Sequence, residues 1–233
     1  MVESLDLFPL FLSLKVATAA TVLAALIGIP IAYYLSRSHG KVADFIDALT
    51  TLPVILPPTV LGYYLLVLLG RKSPIGKFLE ETFGITIVFT PVGAAIAAFV
   101  VAVPFLIKSS RAAFASIDPN LIRAAKVLGR SDINIFFVVI LPLSWRGVAS
   151  GIMLVFARAL GDFGATLMVA GNIPNETLTM PVAIYDALLA GNHRLANVLV
   201  IIMTSVSVLL LYVMRRIEKR MVRGDGAHAA RKH

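Results

Sequence analysis

The sequence predicts an all-α integral membrane protein with five transmembrane helices, its N-terminus outside and its C-terminus in the cytoplasm. Three observations carry that prediction: an oil-like composition, its segregation into blocks long enough to cross a bilayer, and the lopsided placement of the cations. Of 233 residues, 58% are hydrophobic and 15% charged, against roughly 45–50% apolar and about 25% charged in an average soluble domain. Mean hydropathy is +0.89, an excess that has to face lipid.

A hydrocarbon core about 30 Å thick needs roughly 20 apolar residues in helical form. The first block that meets this, residues 8–35, carries the single charge Lys15. Glu3 and Asp6 precede it, where a removable signal peptide would carry cations, so the block is expected to remain as a span. Blocks 49–69, 86–107 and 195–214 carry no charge at all, and block 143–170 is equally apolar but interrupted by Arg146, Arg158 and Asp162. Segment 178–190 is too short to cross and contains Asp186, which makes it a re-entrant or loop helix. Residues 1–222 read as one membrane domain, and residues 223–233, rich in Gly, Ala and cations, as a disordered basic tail.

The formal charge of +8 would suit a nucleic-acid binder, but its placement marks a membrane orientation. Arg37 and Lys41 follow the first span; Lys108, Arg111, Arg123, Lys126, Arg130 and Arg146 lie between the third and fourth; seven more follow the last. These belong on the cytoplasmic side. The opposite side receives Arg71, Lys72, Lys77 and Arg194. Five spans satisfy this parity, and a sixth would push the C-terminal cations outside.

The cytoplasmic connection, residues 108–142, is punctuated like structure. Asp118-Pro119 supplies an N-cap and a first-turn proline, and Gly129 a stop, so a short helix is predicted over 119–128. Ser131 can cap a second helix over 132–141, which Pro142 ends or kinks. Ala124 and Ala125 remove bulk beside Gly129, which permits close approach of a partner, although spacing alone fits an ordinary surface helix equally well.

The arrangement Arg123-Ala124-Ala125, Gly129, Val139, Leu141-Pro142 resembles the EAA loop of permease subunits in ABC importers. The resemblance implies that the first helix is a coupling helix docking in a cleft of a separate ATPase. ATP and magnesium would then be held by that ATPase, and this chain would bind no cofactor. Arg123 stands where the family usually has Glu, and Val139 where it often has Ile. The stretches LPVILPPTVLGYYLLVLLGR (52–71), FGITIVF (83–89) and FARALGDFGATLMVAGNIPNETLTMPVAIY (156–185) resemble the molybdate branch of these permeases, with sulfate and thiosulfate permeases the nearest relatives to confuse it with. That likeness implies a prokaryotic plasma-membrane complex of two copies of this chain, two ATPases and an extracytoplasmic molybdate-binding protein. The loops 70–85 and 171–194 are the expected docking surface for that last partner.

Two places in the spans are candidates for a translocation path or gate. Pro57, Pro58 and Thr59, with Pro53 upstream, interrupt the second span, where neighbours or a cavity must satisfy the freed carbonyls. Arg158 and Asp162 stand i, i+4 in the fourth, either pairing structurally or meeting an anion. Gly147-x-x-x-Gly151 permits a close helix crossing, whether within the chain or between copies.

No cysteine is present, and His39, His193, His228 and His233 have no ligand spacing, so no metal site is expected. The stretch Gly70 to Phe78 lacks phosphate-loop spacing, and no nucleophile, base and orienting group cluster, so no catalytic residue is expected.

Overall fold

The chain is described from a computed structural model, in which residues 6–230 are described; within them every regular element is helical. The first span is α1, Phe8–Arg37. The second is broken into α2, Lys41–Ile55, and α3, Pro58–Leu69. The next connection holds α4, Pro74–Phe83, and the third span is α5, Pro91–Ala115. The connection after it carries α6, Pro119–Val127. The fourth span runs through α7, Asp132–Ile135, a π turn, Phe136–Ile140, and α8, Leu141–Leu160; α9, Gly164–Ala170, follows after a break. The short helix α10, Met180–Leu189, precedes α11, His193–Ala230.

Helix α5 is the hub. Of its apolar stretch 56% is buried, against 6% for α11, which therefore lies at the periphery of the chain. The hub is built from small side chains: Ala94, Ala98 and Ala102 of α5 pack with Ala17, Ala20 and Ala24 of α1. Lipid is as apolar as leucine, so helices in it are held by close van der Waals contact rather than by expulsion of water. A Cβ on Gly147 would come within 2.4 Å of the Ala113 Cβ, and one on Gly151 within 2.8 Å of Leu106 Cδ1. The Gly147-x-x-x-Gly151 motif thus forms the α8 seam against α5 inside one chain, and Ser109 reinforces it by donating to the Gly147 carbonyl at 2.8 Å.

Five expected features change. Block 49–69 is not one straight span: the chain bends by 117° between α2 and α3, so the described helices give four spans, or five when this bent pair counts as one. The third span starts five residues later than its apolar block, since Thr90 caps the helix by accepting from Gly93 N–H. The fourth span begins at Asp132, not Leu143: Pro142 neither ends nor interrupts the helix, because the π turn before it absorbs the missing N–H and the ring clash. It also breaks between Leu160 and Gly164 rather than running to Ala170. Finally, residues 223–230, expected to be disordered, continue α11. Extending an established helix costs little once nucleation is paid, and the segment is rich in alanine. Residues 231–233 of that expected tail lie outside the described residues.

Segment 178–190 forms the short helix α10, as its length and Asp186 predict. It is fixed by Ser13 of α1, whose hydroxyl accepts from Met180 N–H at 2.8 Å, and by Asn172, which donates to the Asp186 carboxylate.

Candidate functional site

The breaks in spans two and four are each written by local chemistry. A residue before proline is pushed out of the helical region, and Leu56 and Pro57 are extended at ψ 141° and 137°. Pro58 then opens α3, where its absent N–H costs nothing. In span four, α8 closes at Gly161, and Asp162 turns back to receive the start of α9: its carboxylate accepts from Thr166 N–H at 3.0 Å and Thr166 Oγ1 at 2.8 Å. The other carboxylate oxygen takes Arg158 Nη1 at 3.3 Å. Asp162 is 1% exposed and Arg158 29%, so the carboxylate is buried with three donors around it. This is the structural pairing of the two alternatives, and Thr166 is the partner that sequence reading missed. Its signal was the four-residue spacing from Asp162 across a glycine-rich break.

The two breaks touch. A Cβ on Gly164 would sit 3.1 Å from Thr59 Cγ2 and 3.3 Å from Pro58 Cβ, and one on Gly62 would sit 2.7 Å from Met168 Cβ and 2.9 Å from Ala165 Cα. Half-helices α3 and α9 therefore cross with backbones nearly in contact, which only glycine at these positions allows. Pro57 and Thr59 are exposed, while Pro58 is half-buried. At its outer end α9 is tied to the start of the third span: Phe89 N–H donates to Val169 O at 2.9 Å, with Phe89 held at φ 60°, in the left-handed region that bulky residues avoid.

The connection between the third and fourth spans forms a second unit. Helix α6 is capped by Asp118, whose carboxylate accepts from Asn120 N–H at 2.8 Å. It ends with Gly129 at φ 75°, Gly129 N–H on Lys126 O at 2.9 Å and Arg130 N–H on Ala125 O at 3.2 Å, the paired bonds of a Schellman motif. Nothing in the chain lies within 4 Å of a Cβ built on Gly129. The glycine serves the left-handed turn that stops the helix, as its position after 119–128 predicts, and among the described residues none packs against it.

The two alanines part company: Ala125 is buried with Ile122, whereas Arg123 and Ala124 are exposed. Beside them Val127 and Leu128 are 87% and 81% exposed, and Leu121 and Ile133 are exposed as well. This apolar face was not anticipated, because the helix stop drew attention to Gly129 and away from the side chains just before it.

On the inner side, Ile122, Ala125, Ile135 and Ile140 join Phe114 of α5 and Ala32 and Leu35 of α1 in one buried cluster, against which Val139 and Leu141 pack. Pro142 is exposed beside it. The rings of Tyr33, Phe114 and Phe136 meet there at centroid distances of 4.9 to 6.0 Å. The loop is thus an apolar knob braced against the ends of spans one, three and four that lie beside it. Span two is linked to the same region by Arg111 and Asp47, 2.7 Å apart. Among the described residues no group of three potential metal ligands occurs.

Residues 24–223 match the family described as binding-protein-dependent transport system inner membrane component. The molybdenum transport system permease protein ModB of Haemophilus influenzae is 37% identical over 221 residues, covering 93% of this chain and 96% of that protein. ModB of Escherichia coli K12 is 42% identical over 174 residues, 75% of this chain and 76% of its own length. Among solved structures, an inward-facing form of the MetNI methionine ABC transporter superposes with a TM-score of 0.71 at 18% identity, covering 93% of this chain and 95% of that one; this likeness concerns the fold. With a family match across both the broken spans and the knob that carries α6, the chain belongs to the binding-protein-dependent transport system inner membrane component family.

Proposed function

We propose that this chain is the membrane-spanning permease of an ATP-driven importer that carries molybdate, and tungstate with it, across a prokaryotic plasma membrane by alternating access. The observation that carries the proposal is the exposed apolar face of α6, Leu121, Val127 and Leu128, on a helix whose other side is anchored among three spans. Such a face suits a cleft in a cytoplasmic partner, and its bracing suits the transfer of rigid-body movement. The identity of the anion is supported by the two molybdenum permeases, which align over most of the chain.

In this reading the N-terminus is outside, the C-terminus is cytoplasmic, and the loop 108–142 is the coupling loop. Two copies form the pathway, each contributing the crossing at Gly62 and Gly164, and two ATPases holding ATP and magnesium dock on the α6 faces. Closure of the ATPase pair draws the two α6 helices together and turns the pathway outward; hydrolysis resets it. The chain itself performs no catalysis. An extracytoplasmic oxyanion-binding protein selects the cargo and docks on the outer loops 70–85 and 171–194. Passage needs weak binding, and the buried pairing of Arg158 with Asp162 fits it by leaving that cation partly neutralised.

Uptake of radiolabelled molybdate by cells carrying the complete system tests the assignment. Tungstate in equal amount suppresses uptake, and a large excess of sulfate leaves it intact. The reverse pattern would make the chain a sulfate or thiosulfate permease, and uptake independent of the ATPase would exclude the importer reading altogether.

A further inference from the structure

Lys15 is the only charge in the apolar run of α1, it is exposed, and among the described residues it has neither an ion pair nor a hydrogen bond. It lines an open groove of about 890 Å³ between α1 and the start of α5. Most of that surface is aliphatic, with Leu12, Val16, Ala19 and Leu23 on α1 facing Val92 and Ile96 on α5. Glu176 lines the same groove, is also exposed, and is not paired with Lys15. One cation and one anion thus stand at the edge of an apolar trough, each without a protein partner.

Depth identifies what can fill it. A 30-residue helix is about 45 Å long, about 7 Å longer at each end than a hydrocarbon core of about 30 Å. Lys15 lies about 10 Å from the start of α1, just inside that boundary, from where its long side chain reaches the headgroup layer. Thr90 and Pro91, which open α5, line the groove with it and mark the same level. Below Lys15 the trough continues past Ala19 to Leu23, in the direction an acyl chain takes.

We infer that the α1/α5 groove is a binding site for a phospholipid with a zwitterionic ethanolamine headgroup. The lipid phosphate accepts from the Lys15 ammonium, the ethanolamine ammonium donates to the Glu176 carboxylate, and one acyl chain lies along Val16, Ala19 and Leu23. Charge complementarity selects this headgroup: phosphatidylglycerol satisfies Lys15 with the same phosphate but has no ammonium for Glu176, whose repulsion of the phosphate is then uncompensated. The inference is independent of which anion is transported.

Native mass spectrometry of the purified full-length chain, titrated with phosphatidylethanolamine and phosphatidylglycerol at equal concentrations, tests it. Phosphatidylethanolamine is retained about tenfold better, the worth of one charge-assisted contact. Lys15→Ala loses about that factor, and Glu176→Gln abolishes the preference while phosphatidylglycerol binding holds or rises. Both side chains are exposed, so unchanged thermal unfolding shows that the variants are folded. Equal retention of the two lipids, or no effect of either substitution, overturns the site. A second arm uses the absence of native cysteine: Ala19→Cys remains monomeric under oxidation if lipid fills the groove, whereas a disulfide between copies would make it a subunit seam and overturn the proposal.

Discussion

At Gly129 the requirement is conformational rather than steric: φ is 75° and the space beyond its Cα is open. A β-branched residue there meets its own backbone, at a cost of about 1–2 kcal/mol. Gly129→Val therefore unseats the end of α6 without disturbing the spans. In reconstituted vesicles the complex should keep hydrolysing ATP while uptake per ATP falls several-fold; normal coupling would remove Gly129 from the docking unit. Asp162 is the opposite kind of residue, buried and saturated with donors. Asp162→Ala strands Arg158 and the Thr166 N–H, and breaking such a pair costs about 3–5 kcal/mol. Thermal unfolding in detergent should show a large fall for Asp162→Ala and a smaller one for Thr166→Val, which removes one of the three donors. The residue types at both sites were legible from sequence. The role of Gly129 as a helix stop was legible too; that of Asp162 was not, because a carboxylate that meets an anion and one that receives the start of a helix look alike in one dimension.

Helices α5 and α8 are joined through Gly147, where a single methyl group decides the spacing. Gly147→Ala places its Cβ against Ala113 and should destabilise the protein by about 1–3 kcal/mol. The double variant Gly147→Ala/Ala113→Gly should recover most of this, short of the roughly 1 kcal/mol that a helix-interior glycine costs. A double-mutant cycle on unfolding within one chain measures this coupling, and additive effects would place the seam elsewhere. At this scale four of the five apolar blocks announced a helix long enough to cross a membrane, since hydropathy counts residues, and block 49–69 is the bent pair. The breaks were less visible. Proline clusters named the interruption in span two but not its 117° angle, which depends on α3 finding α9 through Gly62. Pro142 pointed to a stop that a π turn bypasses, and the Gly161 to Gly164 break needed Thr166 to be recognised as a capping partner of Asp162. The angle in span two depends on a neighbour far along the chain, whereas the π turn and the Asp162–Thr166 contact are local patterns that hydropathy and proline rules do not encode.

For the whole molecule, the proposed orientation makes a simple labelling prediction. The chain has no cysteine, so each introduced thiol reports its own location. Lys77→Cys, in α4, should react in intact cells with a reagent that cannot cross the membrane, whereas Lys126→Cys, in α6, should react only after permeabilisation. The opposite result would invert the topology that the cations imply. Composition and charge carry the expectation for how the chain sits, while the assembly of α1, α8 and α9 around α5 is visible only in three dimensions. That alanine-lined hub has a thermodynamic consequence. Its contacts form where no water is displaced, so parting these helices within a bilayer carries little of the heat-capacity change, about 12–15 cal/mol/K per residue, that accompanies unfolding of a water-soluble domain. The free energy holding the hub together therefore stays nearly linear in temperature, and cooling tightens the bundle instead of loosening it.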